Sequence, residues 1–191
     1  MYPHDPNTHA VKKGVFTKEE CDNIIAIGDT YPSKLDTMGY ADEGNEEGKE
    51  HSHRESFVSW LPQDLSIPVL NMLWSRFHDT IAELNHTMWG FDLKFMWEAA
   101  QYTRYAINGH FDYHMDVGKG SMAVRKISSV LLLSDPAEYE GGVLQLYHEK
   151  AIPLEQGDVV CFPSYMLHRV TPVTMGTRRS IVLWAGGSYW K

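Results

Sequence analysis
The chain has only two cysteines in 191 residues, too few for a disulfide framework to hold it together. Cys21 falls in a helical stretch and Cys161 in an apolar β-rich run, so both read as buried thiols of a reducing compartment, and a cytoplasmic location is expected. A single Cys21–Cys161 bridge stays open at this level. Positive charge is also scarce. Against 25 Asp and Glu stand 17 Lys and Arg, and the net charge of -8 argues against a phosphate-backbone partner such as DNA or RNA. No apolar run approaches the length needed to span a bilayer, so no membrane partner is expected. The opening Met1-Tyr2-Pro3-His4-Asp5-Pro6 has neither a basic segment nor an apolar core, so no signal peptide is expected.

Aromatic residues, by contrast, are plentiful, with 6 Trp and 10 Tyr. The length makes one domain over 1–191 the default. Thr17-Lys18-Glu19-Glu20 has the form of a capping box, and Cys21 to Ile27 reads as the short amphipathic helix it opens. Asp36 to His53 is rich in Gly, Glu and Asp and predicts a long mobile loop. Its 36–50 portion is a candidate lid over substrate, with a disordered insertion as the alternative. Phe57 to Leu61 then reads as a strand closed by Pro62.

The strongest helical pattern follows. Val69, Leu70, Leu73, Trp74, Phe77, Ile81 and Leu84 recur at helical spacing from Pro68 to about Asn85. Beyond Asn85, short β-rich runs alternate with turn signals such as Asn108-Gly109, Gly141-Gly142 and Gln156-Gly157-Asp158. Strands are predicted near 96–105, 111–116, 126–134, 143–147, 158–162, 167–171 and 178–185. The expected fold is α+β and mainly β. A helical and mixed support over 1–95 buttresses a double-stranded β-helix (jelly-roll, cupin-like) barrel over 96–186.

Chemistry concentrates in that second part. On a strand, residues two apart share a face, so His114 and Asp116 would point into the barrel while Met115 points out. His168 begins another strand, which a jelly roll can bring opposite the first pair. Two imidazoles and one carboxylate can hold one face of a ferrous ion and leave the other positions open. Arg178 and Ser180 obey the same period and would share the inward face with Trp184. An inward arginine without a carboxylate partner is costly, so Arg178 implies a bound anion, and its guanidinium can fork a carboxylate of a co-substrate. A lone H-x-D is usually an ordinary polar pair, and Arg178 could equally pair with an acid or lie exposed beside Arg179. The ordered set H-x-D…H…R-x-S is much more specific than either half.

Here the chain resembles the iron(II)- and 2-oxoglutarate-dependent dioxygenases, in particular the prolyl 4-hydroxylase-like group. The likeness covers about residues 98–186 and includes Gln101-Tyr102-Thr103-Arg104-Tyr105, Asn108-Gly109-His110-Phe111, Leu131-Leu132-Leu133-Ser134-Asp135-Pro136, Tyr139-Glu140-Gly141-Gly142-Val143-Leu144 and Gly157-Asp158-Val159-Val160-Cys161-Phe162-Pro163-Ser164. The resemblance implies that His114, Asp116 and His168 are iron ligands, that Arg178 holds the distal carboxylate of 2-oxoglutarate, and that Tyr105, with Ser180, assists it. It implies Fe(II) as metal, 2-oxoglutarate and O2 as co-substrates, and ascorbate as a candidate reductant. Decarboxylation to succinate would be coupled to hydroxylation of an unactivated C–H bond. Asp116 favours hydroxylation, because related halogenases lack this carboxylate. Ala106-Ile107-Asn108-Gly109 departs from the Gly-x-Gly-Gly of many relatives, which bears on loop shape and leaves the ligands intact.

The expected substrate is a prolyl residue of a peptide or protein. A free amino acid, another small molecule or a nucleic acid are alternatives within the same chemistry, and a non-catalytic jelly-roll metal-binding module is the alternative of a different class. Nucleic-acid demethylases usually carry a second arginine six residues after the clamp, where this chain has Trp184. His51-Ser52-His53 is a weaker metal candidate on a polar loop. Met96-Trp97-Glu98 and Trp184 are candidates either for the pocket wall or for the core.

Overall fold
The capping box forms as written. Thr17 Oγ1 accepts from the Glu20 amide at 3.3 Å, and Glu20 accepts from the Thr17 amide at 2.8 Å. The computed structural model describes residues 8–40, 51–96, 98–147 and 151–190. Within them the order begins β1 (Ala10–Lys12), α1 (Lys18–Gly28), β2 (Ser33–Tyr40), β3 (His51–Leu61) and α2 (Pro68–Leu84). A π-helical turn over Asn85–Trp89 closes α2. Then come β4 (Leu93–Phe95), β5 (Ala100–Tyr105), β6 (His110–His114), β7 (Arg125–Leu132), β8 (Tyr139–Gly141), β9 (Leu144–Leu146), β10 (Val159–Pro163), β11 (His168–Val170), β12 (Val173–Gly176) and β13 (Arg178–Gly187).

The strands pair antiparallel in the order β1-β10-β7-β13-β5-β3-β6-β11-β9, with β2 added on β3 and β4 on β13, while β12 and β8 form a separate pair. The result is a mainly β, curled sheet with two helices, in line with the expected jelly roll. Period two sorts the core. Val159 and Cys161 of β10, with Ile181, Leu183 and Ala185 of β13, join one apolar cluster with Leu70, Leu73, Trp74 and Phe77 of α2 and with Cys21 and Ile24 of α1. Val160 and Phe162 of β10 face the barrel interior with Tyr105, Val130, Leu144 and Val170. Every residue of β7 is buried, as expected for a strand covered on both faces. Each fully buried Leu or Phe contributes about 1.5–3 kcal/mol, so packing rather than intrinsic propensity holds α2 in place. Both cysteines are buried and free, so no Cys21–Cys161 bridge forms.

Gly157 joins the chain's opening segment to the barrel. Its φ is +87°, and a Cβ there would lie 1.9 Å from the Phe16 carbonyl oxygen. The close approach lets the Phe16 amide donate to the Gly157 carbonyl at 3.0 Å.

Three expectations need correction. The long loop over Asp36–His53 is partly strand, because Asp36 to Tyr40 and His51 to His53 belong to an antiparallel β2–β3 ladder with Tyr40 opposite His51. Ladder pairing overrides the polar composition there. The remaining stretch 41–50 of the candidate lid lies outside the described residues. The strand predicted near 96–105 forms only from Ala100 on, as β5, and a short unpredicted β4 precedes the predicted range. Finally, β1, β2, β8 and β12 went unpredicted, since three of them are only 3 or 4 residues long and the fourth is polar.

Candidate active site
His114 closes β6, His168 opens β11, and the two are direct partners across that ladder. Asp116 lies two residues beyond the end of β6 rather than on the strand. Backbone bonds hold it there. Its amide donates to the Ser164 carbonyl at 2.9 Å, and its own carbonyl accepts from Arg125 Nη1 at 3.2 Å. The Nε2 atom of His114 stands 3.7 Å from Asp116 Oδ1, and that of His168 stands 3.6 Å from Asp116 Oδ2. One ligand atom from each of the three lies within 4.8 Å of the others. Met115, between the first two, is exposed.

The tautomers follow from the backbone. His114 Nδ1 lies 2.8 Å from the Asp112 carbonyl and His168 Nδ1 lies 2.9 Å from the Met166 carbonyl. A carbonyl only accepts, so each ring keeps its proton on Nδ1 and turns the Nε2 lone pair toward Asp116. Burial, reinforced by the neighbouring His168, holds the His114 pKa far below its ordinary value. Burial alone would raise Asp116. The two histidines outweigh it, helped by the Ser128 hydroxyl donating at 2.6 Å, and the carboxyl stays below its usual range. The Trp184 indole N–H also lowers Asp116, although it falls short of a regular hydrogen bond. Two imidazole nitrogens and a carboxylate, converging on one point, are a fitting donor set for Fe(II).

Arg178 lies in the same cavity of about 530 Å3 as this triad. It is 2% exposed, and no carboxylate lies within ion-pair distance among the described residues. Its Nη1 donates to Ser180 Oγ at 3.1 Å. Tyr105 is its partner across the β13–β5 ladder. Burial first of all pushes the Tyr105 phenol above its usual pKa, keeping it a neutral donor. Arg179, one residue along, is absent from the cavity wall, whereas Ser180, Val182 and Trp184 continue it. A desolvated guanidinium with neutral neighbours fits a carboxylate ligand.

Sequence reading missed several parts of this site. Ser128 was foreshadowed by the paired serines inside the apolar run Ile127-Ser128-Ser129-Val130. Arg125 carried no such signal. It is clamped by Glu98, with Nε donating to Oε1 at 2.7 Å, and its guanidinium lies 3.8 Å over the Trp184 ring. Trp60 stands 6.3 Å from Trp184 across the cavity wall. Of the weaker candidates, Trp97 and the side chains of His51 and Ser52 lie outside the described residues. His53 lines the cavity 3.9 Å from Asp112. Among the described residues, the group able to hold a metal is His114, Asp116 and His168.

The curled antiparallel sheet thus brings half-buried His114 together with buried Asp116 and His168 in a group able to hold a metal ion, in the same cavity as buried Arg178. Residues 100–186 match the family model of the 2OG-Fe(II) oxygenase superfamily. It is 28% identical over 183 residues to a PKHD-type hydroxylase of Pseudomonas fluorescens, covering 90% of this chain and 75% of that protein. Identity reaches 37% over 93 residues with a PKHD-type hydroxylase of Acidovorax ebreus, where the match spans 44% of this chain and 41% of the relative. The crystal structure of a Pseudomonas putida prolyl-4-hydroxylase superposes with a TM-score of 0.72 at 16% identity, covering 95% of this chain and 94% of that one.

Proposed function
We propose that this chain, acting as one domain over 1–191, hydroxylates an aliphatic C–H bond of a prolyl residue within a peptide or protein, using Fe(II), 2-oxoglutarate and O2. The observation that carries this reading is a buried Arg178 with no carboxylate partner among the described residues, in the same cavity as the His114/Asp116/His168 cluster. Those three residues would hold the iron, which when bound supplies the oxidising power for C–H hydroxylation and needs no acid or base from the protein. Arg178 forks the distal carboxylate of 2-oxoglutarate, Tyr105 donates its phenolic proton to the same group, and Ser180 fixes the guanidinium. Ser128 and Arg125 hold Asp116 by its carboxylate and by its carbonyl.

Substrate charge favours a peptide over a free amino acid. Apart from Arg178, the arginines of the cavity wall are already matched: Arg54 pairs with Asp36 at 2.8 Å, and Arg125 pairs with Glu98. A zwitterion would bring a carboxylate and an ammonium into a cavity whose wall includes Trp60, Trp184, Met122 and Leu167, alongside the polar His53 and Gln101. An internal residue of a peptide brings neither. The name of the Pseudomonas putida neighbour, prolyl-4-hydroxylase, points the same way. No helix among the described residues is long and apolar enough to cross a membrane, and the two free thiols suit a cytoplasmic setting.

The test is an anaerobic titration with Fe(II) and 2-oxoglutarate, followed by aerobic turnover on a panel of proline-containing peptides and free amino acids read by mass spectrometry. A gain of one oxygen on peptidyl proline with stoichiometric succinate is the expected result. Succinate formation coupled only to a free amino acid would overturn the substrate assignment.

A further inference from the structure
Phe111 is sandwiched between Arg54 of β3 and the metal-facing imidazole of His114. Its ring lies 3.4 Å from that of His114, centroid to centroid, at an interplanar angle of 13°. The Arg54 guanidinium covers the opposite side, 4.5 Å from the Phe111 centroid. His53 meets the ring edge-on at 5.7 Å and 86°. Arg54 is itself pinned, by Asp36 of β2 at 2.8 Å and by Ser56 Oγ, which accepts from its Nε at 2.8 Å.

On a regular strand this stack could not form. Residues 111 and 114 are separated by an odd number and would point to opposite faces. The β6–β11 ladder breaks the rule. His168 pairs with His114 while Val170 pairs with Phe111, so three steps on β6 match two on β11. The extra β6 residue is a bulge, a feature that re-aims side chains and recurs beside active sites. Here it turns Phe111 onto the face of His114. On the other edge of β6, Arg54 pairs directly with Phe111, which places the guanidinium over the ring.

We propose that Phe111 is a positioning residue for the metal ligand His114, and that Arg54 and Asp36 brace it, so that the β2–β3 ladder sets the orientation of a ligand on β6. The inference rests on reading His114, Asp116 and His168 as a metal site. The Nδ1 bond to the Asp112 carbonyl fixes one end of the His114 ring but leaves it free to pivot about that bond. Phe111 on one face and His168, whose centroid is 4.1 Å away, on the other remove the pivot. Unlike an ordinary core contact, this one acts on ligand direction, so its loss should appear in metal binding more than in folding.

The experiment titrates metal-free protein with Co(II) and follows the visible absorption of the bound ion, with a thermal melt of each metal-free variant alongside. Phe111→Leu should weaken Co(II) affinity about tenfold, the lower end of what loss of a ligand's supporting contact costs, and should change the absorption band. Phe111→Tyr, which keeps the stacking face, should restore both. Arg54→Met should reproduce part of the loss, and the Arg54→Met/Phe111→Leu double variant should lose less than the sum. Parental affinity and spectrum in folded Phe111→Leu would overturn the proposal. If that variant does not fold, Arg54→Met decides alone, and parental binding there overturns it equally. Failure of the parent protein to bind Co(II) at all would instead remove the metal-site reading itself.

Discussion

Arg178 and Tyr105 face each other across the β13–β5 ladder, with the guanidinium 5.6 Å from the centre of the phenol ring and both side chains buried. The pair is the proposed site for the distal carboxylate of 2-oxoglutarate. Arg178→Ala should weaken 2-oxoglutarate binding by at least tenfold, since losing a buried charge-assisted pair costs about 2–5 kcal/mol. Arg179→Ala, outside the cavity wall, should change it little. Calorimetric titration of 2-oxoglutarate into both variants in the presence of Mn(II) checks this, and the reverse ranking would mean that Arg179 is the clamp.

Removing a proposed metal-ligating nitrogen tests the other half of the site. His114→Ala and His168→Ala should each lose bound iron and turnover while retaining the circular-dichroism spectrum of the parent. Iron stoichiometry equal to that of the parent in both variants would exclude these histidines as ligands.

The metal-free protein should lose stability in mild acid. His114 is held at about 3, against an ordinary 6.5, chiefly by burial. Below pH 6.5 the unfolded chain therefore takes up a proton that the folded imidazole refuses. Stability attributable to this group falls by roughly 1.4 kcal/mol per pH unit from 6.5 toward 3. Asp116 acts in the same direction at lower pH. Its carboxyl is held below its ordinary 3.8, so the stability it contributes is present above that value and is lost as pH falls through the folded pKa. Chemical denaturation of chelator-treated protein between pH 7.5 and 4.5 reads the slope, and His114→Gln should flatten it. An unchanged slope in that variant would place the acid sensitivity elsewhere.

Trp60 stands at the cavity wall, 48% exposed and facing Trp184. Aromatic contacts of this kind contribute about 0.5–1.5 kcal/mol, so Trp60→Ala should raise the peptide KM about threefold to tenfold. Binding of 2-oxoglutarate, proposed to lie at Arg178, should stay at the parental level. Matching losses for both ligands would show that Trp60 supports the fold rather than the substrate.

Residue order carried much of the site. The spacing His114, Asp116, His168, Arg178, Ser180 encodes local strand geometry, and period two placed Arg178, Ser180 and Trp184 on the inward face with Arg179 off it. The capping box at Thr17 and the apolar stripe of Pro68–Leu84 were legible for the same reason: each reflects interactions within one turn or one helix face. Strand pairing between distant segments was not. Asp36–Tyr40 reads as polar loop by composition, and only the ladder with β3 makes it strand.

By itself, then, the sequence determined the fold class, the apolar face of the long helix and the candidate site residues, because those depend on neighbours a few positions away. The tertiary structure alone decided what meets them. Glu98 found Arg125, Ser128 found Asp116, and Arg54 found Phe111 through hydrogen-bond ladders and packing that join residues far apart in the chain. The bulge in β6 is the sharpest case. A single unmatched residue reverses the side-chain parity that the sequence implies and lays Phe111 against His114. Strand parity is a local property, whereas register is set only when two strands pair.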